Sequence, residues 1–147
     1  PDNRFDTLPI LDVIKMVEDL IRKVHPSVIL THCASDLNID HSITHRAVLT
    51  ATRTIQSQSV NELYTFEVPS STEWSFGQFY GTFNPNYFID ISSKLDKKIK
   101  AMEIYVDELR SYPHPRSIEA LTALAKYRGS ISGLLLAEGF EVVRIIK

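Results

Sequence analysis

The chain has 147 residues, 44% of them hydrophobic and 23% charged, with a formal net charge of −2. That length bounds the reading to one domain, residues 1–147, and the near-neutral charge offers no clustered basic face of the kind that binds nucleic acid. No apolar run approaches the roughly 20 residues that span a bilayer. No signal-peptide pattern is read at the start, and the single cysteine, Cys33, excludes an internal disulfide and suits a reducing cytoplasm.

The first nine residues read as a loop. Ile10, Leu11, Ile14, Val17, Leu20, Ile21 and Val24 then recur three and four apart, which predicts one apolar face of a helix. Asp6 or Thr7 is the expected cap, with Pro9 in the first turn and Pro26 ending the helix. Residues 27–31 read as a strand covered on both faces, as in a parallel sheet. Asn38 or Asp40 can cap the next helix, whose inward positions are Ile43, Ala47, Val48, Ala51 and Ile55. A polar stretch, 56–61, leads to a strand at 63–68, so strand, helix and strand predict a right-handed parallel crossover.

Residues 69–85 form a loop rich in aromatics, with Trp74, Phe76, Phe79, Tyr80 and Phe83. A short strand at 87–91 precedes a helix expected over 92–109, with Leu95, Ile99, Met102, Tyr105, Val106 and Leu109 inward. Pro113 and Pro115 stiffen the following loop by fixing two φ angles. Ser117 caps a further helix through Ala125 or beyond, punctuated by Gly129 and Gly133, and 140–146 reads as the last strand. There is no internal repeat.

The chemistry gathers at residues 32–45, which hold His32, Asp36, Asn38, Asp40, His41 and His45. They follow the first predicted strand, and in open α/β sheets ligands bind beyond the strands' carboxyl ends. His41 and His45, four apart on a helix, share a face. Such a pair can bind zinc if a third ligand joins it, and Asp36 or His32 are the available ones. A capping and surface role for the pair is the bland alternative. Cys33 is a conceivable nucleophile beside His32, but adjacent strand residues point to opposite faces, so a small residue at a strand end accounts for it. His25 sits at a helix carboxyl end, where a cation is favoured without any function.

The run Asn38-Ile39-Asp40-His41, after a strand ending Thr31-His32 and before a helix with Arg46-Ala47-Val48, resembles the PIG-L/LmbE family of zinc-dependent N-acetylglucosaminyl deacetylases. Lys97 to Met102 with Tyr105, then Pro113-His114-Pro115-Arg116-Ser117, Tyr127-Arg128-Gly129 and Ala137 to Glu141, are similar to the family's later elements in order and spacing. The resemblance implies a Rossmann-like three-layer α/β fold with a mostly parallel sheet. It implies a divalent zinc site with His41 as one metal ligand, and a hydrolase that removes the N-acetyl group of an amino sugar by metal-assisted attack of water on the amide.

The family's other two ligands and its general base belong to a His-Pro-Asp-Asp-Glu segment that these 147 residues do not contain. The reading is therefore the carboxyl-terminal part of such a domain, with the first strands missing and a homo-oligomer or docking to the missing half as partner. Asn38 stands where many members carry a His that steadies the oxyanion. An amide can donate there but cannot shuttle a proton, and the role of Asp40 beside it is open. Asp2 and Arg4, in a loop that faces the pocket in the family, and His114 and Arg116, in the proline-stiffened loop, are expected substrate contacts; a surface ion pair and a helix-capping loop are their plain alternatives. Trp74 near Glu73 can stack on a sugar face or cover the sheet. The rival function is a non-catalytic carbohydrate-binding or assembly module that keeps the fold.

Overall fold

The computed structural model describes residues 3–55, 59–79 and 81–147. They form two compact units, one of residues 1–84 with 141–147 and one of residues 85–140.

The first unit opens with a 3-10 turn, Phe5–Thr7, and helix α1, Ile10–Val24. Asp6 and Thr7 fall inside that turn rather than capping α1, whose cap position is Pro9 with no side-chain bond. His25 closes α1 in the left-handed conformation at φ 50, its N–H on the Ile21 carbonyl. Strand β1 is Val28–His32, helix α2 is Ile39–Ala51 and strand β2 is Glu62–Phe66. β1 and β2 pair in parallel, Val28 opposite Glu62 through His32 opposite Phe66, as the strand–helix–strand pattern predicts.

Helix α1 packs on α2 through Val13, Ile14 and Ile21 against Ala47 and Ala51, with Val60 completing the core and Phe5, Leu8, Val17, Ile29 and Ile43 at its margin. The two alanines let the helix backbones approach closely. Arg144 donates to the carbonyls of Thr52 at 2.7 Å and Val60 at 3.4 Å, tying the carboxyl-terminal strand to the end of α2 and to the approach to β2.

Two further expectations about this unit fail. β1 is covered on one face only: Val28 and Leu30 stay 41% and 49% exposed while Thr31 is buried. An apolar, β-branched run cannot by itself distinguish a strand buried on two faces from one with an open face. Ile55, expected inward on α2, lies past the helix end and is exposed.

The last strand, β4, is Ala137–Ile145, and it begins three residues before the sequence suggests. Within the second unit, β3, Tyr87–Asp90, pairs with it antiparallel, Tyr87 opposite Phe140 through Asp90 opposite Ala137. The strand order is β1-β2-β4-β3, so the sheet is mixed rather than purely parallel.

Helix α3 spans only Leu95–Ile104. Tyr105, Val106 and Leu109, expected inward, instead lie in the turns that follow, with the N–H groups of Glu108 and Leu109 on the Tyr105 carbonyl. Ile104, Val106 and Asp107 are poor helix formers in succession, and the chain leaves the helix there. Helix α4, Ile118–Ser132, starts at Ser117, whose hydroxyl accepts from the Ala120 N–H at 3.1 Å. Gly129 sits inside α4 because the returning chain lies against it: a Cβ would meet the Leu134 carbonyl oxygen at 2.7 Å.

Candidate metal and substrate site

The site lies wholly in the first unit, where β1 ends and α2 begins. Asn38 is the N-cap of α2: its Oδ1 accepts from the Asp40 N–H at 2.9 Å, and its Nδ2 donates to Asn3 Oδ1 at 3.1 Å. Asp40 is buried, and its carboxylate accepts from the Phe5 N–H at 2.9 Å and the Arg4 N–H at 3.2 Å. It thus pins the amino-terminal loop and the 3-10 turn onto the start of α2. Arg4 is held through its backbone; Asp2 lies outside the described residues.

Asp36 is the centre of the cluster. Its side chain is fully enclosed. Oδ1 accepts from the Asn38 N–H at 2.9 Å and from the Ser71 hydroxyl, and Oδ2 accepts from the Thr72 hydroxyl at 3.0 Å. His41 Nδ1 stands 3.0 Å from Asp36 Oδ1, in contact though off the line of a well-formed hydrogen bond. Burial works against ionisation of Asp36, but the close approach of His41 and the bonds from Ser71 and the Asn38 N–H together outweigh burial and hold the carboxyl below its usual range. Asp36 is therefore a carboxylate with both oxygens engaged. It acts on His41 and is not itself an available ligand.

The last residue of β1 organises both histidines of α2. The His32 ring stacks on His41 at 4.0 Å between centroids and 12° between planes, with Phe66 on β2 tilted against it at 5.0 Å. The His32 carbonyl accepts from His45 Nδ1 at 2.8 Å, which assigns the proton to that nitrogen. Burial, then the neighbouring His41 charge, pushes the His32 pKa down to about 4 against the opposing pull of Asp36, so its imidazole is neutral. Cys33 is buried behind the cluster and burial pushes its thiol up, the opposite of an activated nucleophile.

His114 and Arg116 lie in the second unit. The Arg116 N–H donates to His114 Nδ1 at 3.1 Å, and the Arg116 guanidinium pairs with Glu108. Ser117 caps α4 immediately after them, as its position before the apolar run suggests.

The sequence singled out Asp36 and His32 only as third-ligand options for a self-contained site. Among the described residues no three His, Cys, Asp or Glu side chains converge in that way. The hydroxyls of Ser71 and Thr72 were missed. They come from a loop 35 and 36 residues further on, and a Ser-Ser-Thr run after a strand carries no signal that says which carboxylate it will meet.

The fold and this corner define an α/β protein that aims a carboxylate-backed histidine from a strand–helix junction. Residues 1–52, which contain Asn38 to His41, match the PIG-L family model, described as GlcNAc-PI de-N-acetylase. Three solved structures share the fold. The conserved protein TT1542 from Thermus thermophilus matches all of this chain and 64% of its own, at 19% identity and TM-score 0.75. The N,N'-diacetylchitobiose deacetylase from Pyrococcus horikoshii matches 93% of this chain and 53% of its own, at 18% and 0.67. GalB, the 4-carboxy-2-hydroxymuconate hydratase from Pseudomonas putida, matches 92% and 60%, at 23% and 0.66. The chain thus spans between about half and just under two thirds of those structures' lengths. No curated protein matches it. No described helix is long and apolar enough to cross a membrane.

Proposed function

We propose that the chain is the part of a zinc-dependent N-deacetylase that supplies one metal ligand, His41, and the frame that orients it, for removal of the acetyl group from an N-acetylated amino sugar. The observation that carries this reading is the His41–Asp36 pair, inside the segment that matches the family. A ligating histidine is ordinarily held at its second ring nitrogen by a carboxylate or carbonyl, which fixes its tautomer and raises its basicity. Asp36 stands at Nδ1 in that way, leaving Nε2 for the metal.

The donor set of these residues fits one ligand position, not a complete site, and the remaining ligands belong to the His-Pro-Asp-Asp-Glu type of segment. A divalent metal bound there would polarise an amide carbonyl and lower the pKa of water, so that water gives up a proton to a base and attacks as hydroxide.

The chain's own residues do the rest. Asp36, fixed by Ser71, Thr72 and the Asn38 N–H, holds His41 in one orientation. His32 fixes the plane of the His41 ring from behind. Asp40 positions Arg4 and Phe5, bringing the Arg4 backbone to the mouth of α2. Asn38 keeps one amide N–H beyond its bond to Asn3, and that N–H is the donor for the developing oxyanion.

The direct test is acetate release from N-acetylated amino sugars by the complete protein. Because the fold is shared with a hydratase, the same preparation is offered an unsaturated tricarboxylate. Turnover of the latter without acetate release from any N-acetyl sugar would replace the deacetylase reading with a hydratase, and turnover of neither would favour a non-catalytic module.

Asn38 separates two roles that one residue can hold. As an oxyanion donor, its change to Ala should lower kcat by about 100-fold with KM little altered. As a cap alone, the change costs roughly 1 kcal/mol of stability and leaves kcat per folded molecule intact. The expected result is a stable but inactive Asn38→Asp, since Asp preserves the acceptor for the Asp40 N–H and loses the donor. An active, stable Asn38→Asp would remove Asn38 from the chemistry.

A further inference from the structure

Helix α2 has two unlike sides. Asp40, Ala47, Val48 and Ala51 are buried. The other side carries Ile39 and Leu49, exposed to 50% and 38%, with Ile43 half-buried between it and the core. These residues line, with Leu37 and Phe79 from the adjoining loops, a cavity of about 570 Å³. Pockets for small organic ligands run from roughly 300 to 1,000 Å³, with mostly apolar walls and few polar groups. His41 does not line the cavity, so it is a different place from the metal position.

The polar groups of the wall are unequal. Asp36 also borders the cavity, but its oxygens are taken up by Ser71, Thr72, Asn38 and His41. The Ser42 hydroxyl turns inward to the Asp36 carbonyl at 3.1 Å. His45 has its proton on Nδ1, at the His32 carbonyl, which leaves Nε2 as an acceptor. Arg46 is the one full cation in the wall and its guanidinium has no ion-pair partner among the described residues. An apolar trough with one uncompensated guanidinium selects a ligand with an apolar body and a single anionic head, because a guanidinium pairs best with a carboxylate in two parallel hydrogen bonds.

We infer that the outer face of α2 is a binding site for an amphipathic carboxylate, with Arg46 on the carboxylate and Leu37, Ile39, Leu49 and Phe79 around the hydrocarbon. The inference stands apart from the deacetylase reading, since it uses neither His41 nor a metal.

The probe is decanoate, with decanol as the uncharged molecule of the same length, titrated into the intact protein by calorimetry and by NMR of the methyl groups of Ile39, Ile43 and Leu49. Decanoate should bind and shift those methyls, and decanol should bind at least about tenfold more weakly, the factor a hydrogen bond to a charged group provides. Arg46→Gln should weaken decanoate by about tenfold and leave decanol unchanged, whereas Leu49→Gln should weaken both. Arg46 and Leu49 are exposed, so neither change should lower the melting temperature, and the His41→Ala protein should bind decanoate like the unaltered one. Equal binding of decanoate and decanol, indifference to Arg46→Gln, or a self-associated protein whose groove methyls are already covered by a second copy would each overturn the inference.

Discussion

Replacing His41 by Ala is expected to strip the metal from the complete protein and to lower kcat/KM by more than about 100-fold, since even the loss of a ligand's outer partner costs 10- to 100-fold. His45→Ala is expected to retain the metal. The two histidines lie one turn apart, but their surroundings differ. His41 has a buried carboxylate at Nδ1 and a neutral ring stacked against it, which is the setting of a ligand. His45 spends its Nδ1 proton on a backbone carbonyl and faces the groove along α2. Metal content by atomic emission, measured beside activity and melting temperature on both variants, distinguishes them. Equal metal loss from the two would point to a joint site on α2 and count against the assignment of His41 alone.

Much of this geometry was legible in the sequence where it is local. The apolar spacing of Ile10 to Val24 places α1 at its observed bounds because a helix face is a nearest-neighbour property of the chain. Asn38 as the cap of α2 and Ser117 as the cap of α4 follow from short polar side chains before apolar runs. The histidines were legible as a cluster because a strand end and a helix start lie close by construction.

What the sequence could not supply is what depends on distant segments. Nothing around Val28 or Leu30 says that one face of β1 stays open. Nothing at Ser71 or Thr72 says that their hydroxyls close around Asp36. The end of α3 at Ile104 was also missed, because apolar residues continue at helical spacing through Leu109 while β-branched residues there weaken the helix. The same limit explains why Asp36 reads as a possible ligand: a carboxylate's role is decided by which groups surround it, and two of its four partners, Ser71 and Thr72, are invisible to local pattern.

That enclosure makes Asp36 the residue whose loss should cost the most in both stability and metal binding. In Asp36→Ala the Asn38 N–H and the Ser71 and Thr72 hydroxyls all lose their acceptor in a buried place. Each stranded donor costs on the order of 1 kcal/mol or more, so the sum is about 3 kcal/mol, or a melting temperature lower by about 10 °C for a chain of this size. Asp36→Asn keeps the shape and one acceptor oxygen, and should cost only about 1 kcal/mol. It nevertheless removes the charge that holds His41, so metal affinity should fall by roughly 10- to 100-fold even in a folded protein. Ser71→Ala is the counterpart: it removes one donor, costs about 1 kcal/mol, and leaves a carboxylate facing His41. Thermal melting and metal titration on the three variants therefore separate a structural carboxylate from one that tunes a ligand. An Asp36→Asn protein that binds metal as tightly as the unaltered one would mean that His41 is oriented by its stack on His32 and not by the carboxylate behind it.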